Sequence, residues 1–254
     1  MRTLCLLVVA PLLLGQAVMT RLEPSGDAAS LTLSARNFFE TTVLNAPYST
    51  EEVSERVQTL ADGTKIKQPP SKRKLWRDSQ GRTRTERPLF PARRDQTDSG
   101  FVLIEIRDPV AGFYYFVDNQ NKVAHRFPLA TAQPSERLPQ PTTAPAKRSV
   151  IQSTDEKLGP EVIEGILAEG TRTTRTTPVG EVGNDRPLVS TTEYWFSKEL
   201  RTGVVLIMSD PQTGETSIRK TNISRAAPDP SLFMPPHDYT VVDEKDSFTL
   251  TVKR

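Results

Sequence analysis

The residues best suited to chemistry lie in RKLWRDSQGRTRTER, where Arg73, Lys74, Arg77, Arg82, Arg84 and Arg87 surround Trp76. Cations interleaved with an aromatic ring are what a phosphate backbone and a stacked base require. The chain as a whole does not support that use. It carries 33 lysines and arginines against 31 acidic residues, a formal charge of +2, and this supplies no field strong enough to recruit a polyanion. The charges have a local use instead. With Gly81 in the left-handed bulge position of a hairpin, Asp78 faces Arg82, Trp76 faces Arg84 and Lys74 faces Glu86. A register that sets Arg77 against Arg82 loses about a few tenths of a kcal/mol per pair. The stretch therefore predicts a β-hairpin with Arg84 over the Trp76 ring, and nucleic acid is set aside as a partner. Lys72, Arg73, Arg77 and Arg87 remain as a surface for an anionic envelope.

Catalytic and metal-binding sets are not assembled by the sequence. His125 and His237 are far apart and have no second histidine or cysteine nearby, unlike the ligand spacing of a zinc site. Glu161, Glu164, Glu169, Glu181 and Asp185 supply carboxylates, but their spacing brings no pair together for general acid and base work. No G-x-S-x-G elbow is present. The glycines of PVGEVGNDRP read as a surface turn rather than a phosphate cradle. Asn222-Ile223-Ser224 has the form of a glycosylation acceptor but sits in a predicted strand. The expectation is a protein that is not an enzyme and holds neither cofactor nor metal.

Aromatic residues are the better lead. Phe113 and Tyr115 in one predicted strand, and Tyr194, Trp195 and Phe196 in another, offer apolar area for a lipid or other apolar ligand. Core packing is the competing explanation. A ligand surface requires a continuous concave apolar face that the protein does not plug with its own side chains.

Strands must position these rings. EVSERVQTLADGTKIKQ alternates and breaks at Asp62-Gly63, a hairpin signal. FVLIEIRDPVAGFYYFVDNQNKVAHRF reads as a three-strand meander with turns at Asp108–Gly112 and Asp118–Asn121. Phe113 to Val117 is apolar on both faces, so that strand is covered twice or turns one face to a ligand. A long strand is predicted around Val162 to Thr177, followed by STTEYWF, GVVLIMS and TSIRKTNIS. LTLSARNFFETT has apolar residues near helical spacing at Leu31, Ala35, Phe38 and Phe39, which predicts a short helix. Asp229 before Pro230, with Pro235 and Pro236 beyond, predicts one further helical turn. The fold class is mainly β: a curved antiparallel sheet or unclosed half-barrel of roughly eight to eleven strands with one or two short helices.

The N-terminal MRTLCLLVVAPLLLGQAVMT has Arg2, an apolar run from Leu4 to Leu14 and small residues at Gly15 and Ala17. This is the form of a signal peptide over residues 1–20, and its apolar run is short of the ~20 residues a membrane span needs. Cys5, the one cysteine, lies inside it. The exported chain would then have no disulfide, thiolate metal site or cysteine nucleophile, and no transmembrane anchor after cleavage. Residues 21–254 are expected to form a single β-rich domain, periplasmic or secreted. A flexible proline-rich loop is expected at about 131–149, TAQPSERLPQPTTAPAKRS.

TLADGTKI, WRDSQGRTR, IRDPVAGFYY and the stretch from EGILAEGTRTTRTTPVGEVGNDRP through SLFMPPHDYTV together resemble a family of uncharacterised exported bacterial proteins, from about Pro47 to Val241. More distantly, the aromatic strand, the SKELRT turn and the terminal LFMPP look like the outer-membrane lipoprotein carrier and sigma-regulator sensor (LolA-like) superfamily. That resemblance implies an unclosed antiparallel barrel with helices over its mouth. It also implies binding of acyl chains or a partner lipoprotein in the periplasm. The chain departs from it at the N-terminus, where the superfamily has a long amphipathic helix. The expectation is a noncatalytic exported protein binding a lipid or other apolar ligand. The alternative is envelope sensing or protein interaction through strand edges and the proline-rich loop, with an envelope protein as partner.

Overall fold

Short turns reverse the chain between many consecutive strands, which then pair with each other. The computed structural model describes residues 18–25, 28–34, 41–60, 62–89, 101–129 and 151–253. Residues 1–17 of the predicted signal segment and the predicted loop 131–149 lie outside the described residues, as do Phe38 and Phe39. The strands are β1 (Val18–Ser25), β2 (Ala28–Ser34), β3 (Tyr48–Thr59), β4 (Lys65–Lys67), β5 (Ser71–Arg77), β6 (Thr83–Pro88), β7 (Val102–Asp108) and β8 (Phe113–Asp118). They continue as β9 (Val123–Pro128), β10 (Gln152–Ile163), β11 (Ile166–Thr177), β12 (Leu188–Ser197), β13 (Thr202–Asp210), β14 (Gly214–Ser224), β15 (Thr240–Asp243) and β16 (Phe248–Lys253).

A 13-stranded sheet runs in the order β10-β11-β12-β13-β14-β3-β5-β6-β7-β8-β9-β15, with β4 paired to β3, and β1-β2-β16 form a separate three-stranded sheet. The main sheet is larger than the sequence predicts. It is curved and unclosed, and antiparallel except where β15 joins β9 in parallel. Among the described residues the only helical element is a 3₁₀ turn, Pro230–Phe233, capped as expected by Asp229, whose carboxylate accepts from the Ser231 amide at 2.8 Å. That bond holds the Asp229 carboxyl below its ordinary value.

Two predicted elements are corrected. Leu31 to Ser34 belongs to strand β2, not to a helix, because Leu31 and Leu33 alternate inward and are buried with Leu250 of β16. The long strand predicted from Val162 to Thr177 is broken at Glu164-Gly165, where φ of 51° and 73° makes a two-residue turn between β10 and β11.

The hairpin β5–β6 has the predicted register: Lys74 opposite Glu86, Trp76 opposite Arg84, and Arg77 opposite Thr83. Asp78 takes the Arg82 guanidinium at 2.6 Å and the Arg82 amide at 2.9 Å. Gly81 has φ 77°, and a Cβ there would meet Thr42 Cγ2 at 2.5 Å, so backbone angle and packing both require glycine. The predicted Arg84–Trp76 stack does not form. Arg84 instead binds Glu86 at 2.7 Å and donates to the Leu232 carbonyl at 3.0 Å, tying β6 to the 3₁₀ turn.

Both faces of β7 and β8 are covered. Phe101, Leu103, Tyr114, Phe116 and Phe127 pack under Leu31, Leu33 and Leu250 of the small sheet. On the reverse face Ile104, Ile106, Tyr115 and Val117 pack with Phe233 of the 3₁₀ turn.

Candidate functional site

Cross-strand partners share a face, so the registers sort the candidate aromatics. Gly170, Trp195, Val205, Arg219, Val53 and Lys72 stand side by side on β11, β12, β13, β14, β3 and β5. The same face continues through Lys74, Glu86, Ile104 and Val117. Phe113 and Tyr115 therefore share a face with Trp195, whereas Tyr194 and Phe196 alternate to the other. Phe113 and Tyr115 pack near Phe233, and Phe113 also carries the Arg126 guanidinium 4.5 Å from its ring centre. Tyr194 and Phe196 lie with ring centroids 6.2 Å apart. The five residues do not converge on one site.

Trp195 lines an open cleft. A space of ≈ 440 Å³ is bounded by Glu161, Val162 and Ile163 of β10, Glu193 and Trp195 of β12, Val205 and Ile207 of β13, and Arg219 of β14. In a flat sheet four strand spacings would separate β10 from β14, roughly 19 Å. Their convergence on one cleft makes the Trp195 face the concave one at this end of the sheet.

Glycine creates the floor. A Cβ on Gly170 would lie 2.7–2.8 Å from three atoms of the Trp195 six-membered ring, so the indole rests directly on the bare β11 backbone. On the other face Tyr194 lies likewise across Gly203, with its hydroxyl 2.7 Å from where a Cβ would stand. Burial of that phenol raises its pKa. Local sequence could not reveal these seats, because each glycine meets its aromatic partner only through strand register.

The charged lining is uneven. Arg172 Nε donates to Glu193 at 2.9 Å, and its Nη1 donates to Glu156 at 3.2 Å. The hydrogen bond and charge of Glu193 hold the guanidinium above its already high value. The side chains of Arg219 and Glu161 make no hydrogen bond or ion pair among the described residues.

The other candidates take separate structural duties. His125 Nδ1 is 2.8 Å from Glu244 and its ring stacks on Phe248 at 4.0 Å, while His237 is exposed elsewhere. Glu164 accepts from the Asn222 amide at 3.1 Å, and Asn222 and Ser224 lie in β14. Glu169 binds Lys198 at 2.5 Å, and Asp185 lies 3.9 Å from Arg186. Glu181 is exposed in the turn after β11. Among the described residues no three histidine, cysteine or acidic groups are placed to hold a metal ion, and no helix is long and apolar enough to cross a membrane.

The basic row expected to meet an anionic envelope is also corrected. Lys72 binds Glu51 at 3.0 Å, Arg73 binds Glu52 at 2.5 Å, and Arg87 lies 3.6 Å from Glu105. Arg77 is buried, donating to the Ala46 carbonyl at 2.9 Å and to that of Leu200, with its guanidinium 4.6 Å from the centre of the Tyr48 ring.

No family model and no curated protein matches the chain. Among solved structures, an uncharacterized conserved protein from Thermus thermophilus aligns with a TM-score of 0.40 and 11% identity, over 79% of this chain and 92% of the other. A chain of the Pseudomonas aeruginosa MucA/MucB complex aligns with a TM-score of 0.40 and 13% identity over 77% of this chain, which spans 58% of its length. A LolA superfamily protein from Nitrosomonas europaea aligns with a TM-score of 0.29 and 8% identity, over 76% of this chain and 92% of the other.

Proposed function

We propose that this chain is a noncatalytic exported protein, periplasmic or secreted, that binds a lipid or other apolar ligand on the concave end of its sheet. One observation carries the reading. Trp195 lies flat and half-exposed beneath an open cleft of ≈ 440 Å³, among Ile163, Val205 and Ile207. An amphipathic ring on a rigid strand, bordered by aliphatic side chains, suits an apolar body with a polar end. Phe113 and Tyr115 continue the same face beneath the 3₁₀ turn, and Tyr194 and Phe196 form an aromatic pair on the reverse side.

A second reading is an envelope-sensing or protein-interaction module. Its supporting observation is β10, a 12-residue strand at the edge of the main sheet whose outer side pairs with no described strand. Pro160, the irregularity at Gly159 and several charged side chains blunt that edge, so the cleft has the stronger support.

The test is to purify the exported chain, extract it for mass spectrometry, and titrate it with decanol by calorimetry. Co-purified amphiphile and saturable decanol binding that Trp195→Ala weakens are expected. Repeated absence of both would overturn the ligand reading, and a partner recovered by crosslinking at β10 would then favour the second.

A further inference from the structure

Arg219 is the one cation among the residues that bound the cleft, and several cations on neighbouring strands are paired among the described residues. Arg172 is held by Glu193 and Glu156, Lys198 by Glu169, Lys72 by Glu51, and Arg225 by Glu199 at 2.6 Å. Lys220, beside Arg219 on β14, turns to the opposite face and is buried against Glu52 at 2.9 Å. The Arg219 side chain lines the cleft without an ion pair or hydrogen bond among the described residues, and it is exposed. The Lys220 contact anchors the same stretch of β14 from behind.

Register fixes what Arg219 can reach. It stands two strands from Trp195 on one rung, with Val205 between them, so about 10 Å separates the two strands. A body resting on Trp195, Val205 and Ile207 therefore meets a cation at its β14 end. The opposite wall carries Glu161, also unpaired among the described residues. Glu193, between them, is neutralised by Arg172. The cleft is thus polarised, with negative charge at β10 and positive charge at β14, and a ligand's anionic end is repelled from one wall and drawn to the other. A guanidinium fork matches a carboxylate or phosphate with two parallel hydrogen bonds.

We propose that the cleft takes an anionic amphiphile, with its apolar body on Trp195 and Val205 and a carboxylate or phosphate head on Arg219. This inference rests on the apolar-cleft reading and adds the charge and orientation of the ligand.

Calorimetry on the full exported chain tests it with three probes: decyl phosphate below its micelle concentration, decanol, and inorganic phosphate alone. Decyl phosphate is expected to bind roughly fivefold to tenfold more tightly than decanol, the scale of one charge-assisted contact at a partly exposed site. Arg219→Gln should remove that advantage and leave decanol binding unchanged, and Arg219→Lys should recover part of it. Glu161→Gln should tighten decyl phosphate and not decanol. Equal binding of the two decyl probes, with Arg219→Gln affecting neither, overturns the head-group assignment while the apolar cleft stands. Failure of both decyl probes removes both readings. Inorganic phosphate binding as tightly as decyl phosphate would overturn the amphiphile and leave a simple anion site.

Discussion

Replacing Glu52 with alanine should be among the most damaging single changes away from the apolar core. Its carboxylate, in a residue 5% exposed, accepts from Lys220 Nζ at 2.9 Å and forms an ion pair with Arg73 at 2.5 Å, and Lys220 is itself 4% exposed. Lys220, Glu52 and Arg73 form one rung across β14, β3 and β5. That rung spans the junction where the C-terminal strands β10–β14 join the run that begins at β3. Glu52→Ala would leave a buried ammonium with no counter-charge, a change that costs about 3–5 kcal/mol. Set against a typical stability of about 5–15 kcal/mol, this is a large fraction, and at this chain length it lowers Tm by roughly 6–20 °C. Urea unfolding and calorimetric melting would measure it. Glu51→Ala provides the control, because the Lys72–Glu51 pair is solvated, with 59% and 26% of the two side chains exposed, and should cost less than about 1 kcal/mol. The combination of Glu52→Leu with Lys220→Met should recover part of the loss, since an apolar pair replaces the buried Lys220–Glu52 ions while Arg73, 16% exposed, still loses its counter-charge. A Glu52→Ala cost no larger than that of Glu51→Ala, or a double variant with no recovery, would refute the reasoning.

Two further outcomes follow from the glycine seats. Gly170→Ala should destabilise by roughly 1–3 kcal/mol through overpacking, because its Cβ would stand 2.7–2.8 Å from the Trp195 ring; the displaced indole should shift its emission and weaken decanol binding, and unchanged emission would count against the flat seat. Tyr194 should titrate later than an ordinary phenol because burial raises its pKa. Its contribution to stability is then fully present below the unfolded value near 10 and lost as pH rises through the folded value. Absorbance titration should show one late-ionising phenol that Tyr194→Phe removes, and an unaltered curve in that variant would contradict the assignment.

Local rules were sufficient where they acted over a few residues. The β5–β6 register was legible because Asp78, Arg82 and Gly81 constrain one short loop, and the Asp229–Pro230 turn because cap and proline are adjacent. Edge position concealed β10: QSTDEKLG is exposed on nearly every residue, so it lacks the apolar alternation that marks a half-buried strand. Helical spacing misled at Leu31 because the partner that buries it, β16, lies more than two hundred residues away. The Arg84 stack failed for a similar reason. A carbonyl at Leu232, 148 residues distant, takes the guanidinium that local pairing would place on Trp76. Alternation alone separates Trp195 from Tyr194 and Phe196, but the identities of Gly170 and Arg219 as its rung-mates depend on registers among four strands.

The position of the cleft follows from where the chain's own cover ends. After β14 the segment around Pro230–Phe233 crosses to β6–β8 and sets Phe233, fully buried, against Ile106, Tyr115 and Trp76. Arg82 lies 5.2 Å from the centre of that ring, and Arg84 binds the Leu232 carbonyl, so the cover is fastened to the hairpin beneath it. Trp195 packs at one side against the cluster of Ile166, Ala168 and Val204 and stays partly exposed to the cleft. A ligand extending along the same face toward Tyr115 would have to lift Phe233, exposing apolar surface whose removal by truncation costs about 3–5 kcal/mol. It could do so only with that much extra affinity for the uncovered state. The Trp195 end, already open, should fill first. The apolar length of a bound molecule is then set by the distance from Ile163 to Arg219 rather than by the full width of the sheet.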